Sequence, residues 1–177
     1  MQAAAATARL FFALWPAAAL QEKLAAWAKR AAGAGRTMRA EKLHLTLAFL
    51  GATDSARIPE LIALASEVRF APIRLVLDEV GYWKHNRIIW CGAREEPAAL
   101  AALVADLRAR LAAAAVRFDA KPFVTHVTLV RNASGIPAGP AWTALSWDAA
   151  DFVLVESARV EQRIEYRLLA RFAAQAA

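Results

Sequence analysis

The chain has 177 residues, a formal charge of +6 and a pI of about 10.1, and 59% of its residues are apolar. That length suits one domain with a real hydrophobic core, and the single cysteine, Cys91, excludes an internal disulfide framework and a CxxC zinc or redox site. Alanine inflates the apolar share, no apolar run reaches the roughly 18 residues of a membrane helix, and the basic balance favours anionic ligands such as phosphates, although no block of consecutive Lys or Arg forms a nucleic-acid-binding tail.

In chain order, Arg9 followed by residues 10–20 loosely resembles a signal peptide, but Pro16 interrupts the run and only one positive charge precedes it. The segment reads instead as a buried strand over 10–14 feeding a helix that starts at Pro16, and the expected compartment is the cytoplasm. Leu20, Leu24, Trp27 and Ala31 carry that helix at helical spacing, and Gly33 and Gly35 end it. Residues 42–50 read as a strand that Gly51 breaks. Asp54 or Ser55 can cap a second helix running to about Val68. Short strands follow over 73–77, 81–83 and 88–91, with 84–87 as a hairpin turn. Pro97 opens a long Ala/Leu helix to about Ala115. Residues 124–130 form another strand, 132–140 a Gly/Pro-rich loop, and 152–160 with 166–172 a final strand pair. No glycine fingerprint of a dinucleotide site or P-loop occurs, which excludes those readings.

One pattern stands above this background. His44-Leu45-Thr46-Leu47 recurs as His126-Val127-Thr128-Leu129, 82 positions later and close to half the chain length. A lone strand histidine is usually structural, and strand threonines follow from β propensity alone. Two matching copies in matching strand contexts suggest two related halves that each give one strand to a shared cleft. Side chains alternate along a strand, so His44 shares a face with Thr46, and His126 with Thr128. Leu43, Leu45, Leu47 and Phe49 should face the core, as should Val127 and Leu129. Polar groups on a buried strand need partners or a function. Paired imidazoles can act as acid and base at phosphorus, and the hydroxyls can bond its non-bridging oxygens.

The remaining candidates read more plainly. His85 lies in the 84–87 turn and is expected to be exposed. No carboxylate accompanies either motif at ligand spacing, and Glu41 is off-face by parity, so neither a metal nor another cofactor is expected. Cys91 sits in an apolar strand and reads as buried and inert. Trp83, beside Lys84 and Arg87, is a candidate for stacking on a base.

The two His-x-Thr-x copies resemble the two-histidine (2H) phosphoesterase superfamily. Within it the resemblance is to the bacterial and archaeal RNA 2′,3′-cyclic phosphodiesterases, also described as 2′-5′ RNA ligases. Arg9-Leu10-Phe11-Phe12-Ala13-Leu14 with Pro16 looks like the opening strand. Leu43 to Leu47 with Phe49-Leu50-Gly51 looks like the first motif, Arg87-Ile88-Ile89-Trp90 like an intervening strand, and Phe123 to Leu129 with Arg131 like the second motif. Phe152 to Ser157 and Tyr166 resemble the closing strands. Thr125 departs from the proline often found before the second histidine.

The resemblance implies an α+β fold, a single two-lobed domain over 1–177 with two antiparallel sheets facing across a central cleft and helices outside. It implies that His44 donates a proton to the leaving 3′-oxygen and that His126 accepts one from water. The substrate would be an RNA or nucleotide with a 2′,3′-cyclic phosphate, hydrolysed to a 2′-phosphomonoester without a metal. Thr46 and Thr128 would be phosphate ligands. Arg131 matches a family arginine but points away from His126 by parity, so its contact requires the strand to end or twist there. A monomer away from membranes is expected. Two other readings remain at this stage: an RNA 2′-phosphate-end binding protein without turnover, and a ligase running the reaction in reverse.

Overall fold

The computed structural model describes residues 6–136 and 141–175. In chain order the elements are β1 (Thr7–Leu14), α1 (Ala18–Ala31), β2 (Arg36–Thr37), β3 (Leu45–Asp54), α2 (Ile58–Ser66), β4 (Ile73–Leu77), β5 (Glu79–Trp83), β6 (Ile88–Gly92), α3 (Ala98–Ala113), β7 (His126–Arg131), β8 (Leu145–Ala149), β9 (Asp151–Val160) and β10 (Arg163–Ala173). Two four-stranded antiparallel sheets dominate, in the orders β10-β9-β1-β3 and β2-β7-β6-β5. A third sheet pairs β4 with β8. The fold is therefore α+β, as expected.

The unbroken apolar run of β1 reflects its position between β9 and β3, where both faces are covered. Leu10, Phe12 and Leu14 enter the main core, while Phe11 and Ala13 join Val153 and Val155 in a second cluster on the other face. The helices lie on the outer faces: α1 against β2 and β7, α3 against β3, and α2 against β10. Helix α1 buries Leu24, Trp27, Ala28 and Ala31, and its last turn carries Lys29 and Arg30 where the helix dipole favours positive charge. Because helices cover one face of each large sheet, the opposite faces are left to form the cleft.

Several elements differ from the expected bounds. Helix α1 starts two residues after Pro16, and α2 ends at Ser66 after a short 3₁₀ turn capped by Asp54, whose carboxylate accepts from the Ala56 amide (2.9 Å). Residues 40–42 form another 3₁₀ turn rather than strand, so β3 begins at Leu45. Gly51 does not break β3. It adopts a left-handed φ of +68° at a bulge, and pairing with β1 continues to Asp54. Strands β2 and β8 were not expected; β2 is only two residues long, and β8 carries the weakly patterned run Leu145–Ala149. Of the expected 132–140 loop, residues 137–140 lie outside the described part.

The second histidine strand is seated closely on its neighbour. Gly92 pairs in register with His126, and a Cβ at Gly92 would meet the Thr125 carbonyl oxygen at 2.1 Å. Backbone cannot give way there as a side-chain tip could. Gly92→Ala is therefore expected to cost about 1–3 kcal/mol by overpacking and to displace the start of β7. Thermal denaturation checks the first effect, and loss of activity without loss of the folded far-UV spectrum checks the second.

Candidate active site

His44 immediately precedes β3 and His126 opens β7, so each imidazole stands where a strand begins. Both rings are held in the same way. The Nδ1 of His44 lies 2.7 Å from the Lys42 carbonyl oxygen, and that of His126 lies 2.8 Å from the Val124 carbonyl oxygen. A carbonyl oxygen can only accept, so each Nδ1 must carry the hydrogen. In the neutral ring this leaves the Nε2 lone pair free to receive a proton.

The strand that follows each histidine has a bulge at the same place. Along β3, Ala13 of β1 pairs with Thr46 and Phe12 with Ala48, so one extra residue is accommodated at Leu47. Along β7, Trp90 of β6 pairs with Thr128 and Ile89 with Val130, which leaves Leu129 extra. In both cases two consecutive aliphatic residues turn to the core: Leu47 with Ala48, and Leu129 with Val130. Parity then reverses, and the third residue after each threonine returns to the cleft face. That residue is Phe49 in one strand and Arg131 in the other.

The two strands meet on a cavity of about 270 Å³ whose lining includes His44, Thr46 and Phe49 from one side and His126, Thr128 and Arg131 from the other. Arg9, Lys42, Trp83, Asn86, Ser157 and Tyr166 complete its polar and aromatic wall, and no carboxylate lines it among the described residues. Aromatic rings enclose His44 closely. Trp15 stacks on it at 5.3 Å with 4° between the planes, Phe11 lies at 4.8 Å, and Tyr166 meets it edge-on at 5.4 Å. His126 has Trp83 against it at 4.6 Å.

Proteins with known activities and structures can be set beside this geometry. Residues 14–90 match the family model of the LigT like Phosphoesterase. The RNA 2′,3′-cyclic phosphodiesterase of Escherichia coli K12 is 36% identical over 173 residues, covering 93% of this chain and 96% of that protein. The Thermus thermophilus protein of the same name is 32% identical over 142 residues, covering 74% of this chain and 71% of the other. The crystal structure of E. coli LigT complexed with 3′-AMP superposes with a TM-score of 0.87 at 34% identity, covering 97% of this chain and all of that one. The chain belongs to the LigT-like, two-histidine phosphoesterase family.

In this LigT-like phosphoesterase, His44, Thr46, His126, Thr128 and Arg131 all reach one cavity. Leu45, Leu47, Val127 and Leu129 of the two motifs are buried in the core, as their alternation implied. Phe49 departs from its expected core face because of the β3 bulge, and the β7 bulge removes the parity objection to Arg131. Trp83 lines the cavity, while His85 is exposed. Thr125 is buried, its hydroxyl donating to Glu96 (3.1 Å) away from the cavity lining. Cys91 is buried, and burial pushes its thiol up to about 12. Phe11 and Tyr166 were read from the sequence only as parts of the opening and closing strands, and neither they nor Trp15 and Lys42 were expected at the site. Aromatics in an opening strand look like core, and only the pairing of β1 with β3 and β9 reveals which of them face the histidines.

The electrostatics follow from these neighbours. Burial lowers the His44 pKa to about 4, opposed by the Lys42 carbonyl and reinforced by the positive charges of His126 and Arg131. His126 is lowered too, by burial first, with the Val124 carbonyl opposing and Arg131 adding to the effect. Both rings are thus neutral at pH 7 in the empty cleft. NMR titration of the ligand-free protein should find both imidazoles protonating below the ordinary value of about 6.5, His44 lower than a free imidazole by the wider margin. Arg131→Gln removes a repulsive charge and should move both midpoints slightly upward; midpoints unmoved by that change would contradict the share given to Arg131 and leave burial as the cause.

Proposed function

We propose that this protein is an RNA 2′,3′-cyclic phosphodiesterase that works by two-histidine acid–base catalysis without a metal. The observation that carries the reading is the pair of imidazoles, each anchored through Nδ1 to a carbonyl and both lining one cation-lined cavity that has no carboxylate among the described residues. Kinship with proteins named RNA 2′,3′-cyclic phosphodiesterase supplies the substrate class.

In this reading the cyclic phosphate sits between the rings. Neutral His126 takes a proton from water as its oxygen attacks phosphorus. The bond from phosphorus to the 3′-oxygen breaks, and protonated His44 delivers its proton to that oxygen. The products are a 2′-phosphomonoester and a free 3′-hydroxyl. Thr46, Thr128 and Arg131 donate hydrogen bonds to the non-bridging oxygens as charge accumulates there. Trp83, edge-on to His126, offers a face to the terminal base. The direction of proton transfer rests on family resemblance. The low pKa of His44 is compatible with it, because a weakly basic imidazole is a strong acid once a bound anion has secured its proton. The same reading takes the chain as one two-lobed domain acting as a cytoplasmic monomer. Strands β9 and β10 join β1 in one sheet, one chain supplies both motifs, and no helix among the described residues is long and apolar enough to cross a membrane.

Purified protein with an RNA ending in a 2′,3′-cyclic phosphate should yield a 2′-phosphate end, undiminished by EDTA. His44→Ala and His126→Ala should each lower turnover by about 10²–10⁴-fold. Binding without conversion would sink the hydrolase, and loss of activity with EDTA would sink the metal-free mechanism. The rate requires one proton shared by the pair. Since both pKa values are lowered in the free enzyme, kcat/KM should rise as pH falls from 8 and peak below about 6.5. The bound anion opposes that lowering, so kcat should peak at a higher pH than kcat/KM. Steady-state profiles of both parameters check the sign.

A further inference from the structure

The cavity holding the two histidines is too small for more than the end of a chain, so the body of a polymeric substrate must leave it somewhere. A second, larger groove of about 1170 Å³ opens directly from it, and the two share Arg9, Met38, Lys42, Arg131, Ser157 and Tyr166. Its lining bears seven cations, the shared three plus Arg36, Arg39, Arg159 and Arg163, against one carboxylate, Glu156. That carboxylate is engaged by Arg167 (3.7 Å). Among the described residues Arg36, Arg159 and Arg163 make no ion pair, and all three are exposed.

The fold places these charges as a path. Arg36 of β2 pairs in register with Arg131, one strand outward from the cleft. On the β9–β10 hairpin Arg159 pairs with Ile164, so a cation sits beside an exposed aliphatic side chain. Cations alternating with apolar surface suit a single nucleic-acid strand, whose phosphates and base faces alternate likewise. The remaining large groove beside the site, that of Trp15 and Leu20, mixes Lys23 and Arg171 with Asp148 and Asp151 and offers no such excess.

We infer that the groove over β2 and the β9–β10 hairpin, with Arg36, Arg159 and Arg163 as its phosphate contacts, binds the single-stranded RNA on the 5′ side of the reacting end. This rests on the phosphodiesterase reading, because a cyclic phosphate occupies the 3′ end and leaves the chain only one direction to run. The enzyme then selects polymers over cyclic mononucleotides by electrostatics remote from phosphorus.

The test compares adenosine 2′,3′-cyclic phosphate with a single-stranded RNA decamer ending in a 2′,3′-cyclic phosphate, for the native protein and for Arg36→Ala/Arg159→Ala/Arg163→Ala. The native protein should prefer the decamer in kcat/KM, and salt should erode the preference. The triple variant should lose the decamer by about tenfold or more, flatten the log–log salt dependence by about 2 for three lost contacts, and keep its mononucleotide turnover. An undiminished preference in the variant, or an equal fall on both substrates, overturns the groove. If the native protein turns over neither substrate, the phosphodiesterase reading fails separately. The groove is then decided by fluorescence anisotropy with a decamer bearing a terminal 2′-phosphate: weaker, less salt-dependent binding by the variant supports it. Equal binding, as expected if the charges serve an acidic protein partner, overturns it.

Discussion

Each histidine strand must satisfy two faces at once. One face belongs to the core, and strict alternation would send every second residue there. The other must present a histidine, a threonine and one further group to a cavity. Plain alternation supplies the first two and then delivers Ala48 or Val130 as the third. A single extra residue resolves this in both strands, turning two aliphatics inward and restoring the following side chain to the cleft. Deep burial of Leu47, Leu129 and Val130 holds each bulge in place, so the register of the active face is fixed by the core behind it.

Electrostatics then depend on what that face is pressed against. The cavity gathers two imidazoles, Arg9, Lys42 and Arg131 with no carboxylate in its lining among the described residues, and only Lys42 has an acidic partner behind it, Glu165 at 3.7 Å. Aromatic rings keep water from His44, so in the empty cleft the rings shed their protons. An arriving phosphate changes the balance: its charge offsets Arg131 and favours a protonated ring beside it. Substrate binding and proton uptake are thus linked through the same burial that leaves the free site neutral. The anchoring carbonyls of Lys42 and Val124 oppose the depression and keep both rings oriented while the proton moves.

Much of this was legible in the sequence, for identifiable reasons. The His-x-Thr repeat is a period-two signal, and period two is what a strand writes into its residues; His44, Thr46, His126 and Thr128 share the cavity accordingly. The long helices and the apolar β1 were visible for similar reasons. Bulges are not visible in this way, because an inserted residue leaves hydrophobicity unchanged and reverses only parity. Phe49 was therefore placed on the wrong face and Arg131 was left in tension with its own strand. Strand β2 is too short to carry a pattern. Tyr166 reaches the cleft only through the pairing of β10 with β9 and of β9 with β1, which no local spacing encodes.

The two motifs are near-copies, yet their surroundings are not. His44 has Phe11, Trp15 and Tyr166 around it and Phe49 at the position returned by its bulge; His126 has Trp83 and, at the corresponding position, Arg131. Identical anchoring through Nδ1 gives the rings the same tautomer, so the motif itself cannot distinguish donor from acceptor. Their surroundings do differ. Deeper burial makes the His44 imidazolium the stronger acid of the pair once formed. Arg131 opposes a positive charge on both rings, so it adds to the effect of burial at each without separating the two. A repeated strand motif thus supplies two imidazoles anchored alike, and the unequal packing of the sheets around them gives each a different electrostatic setting.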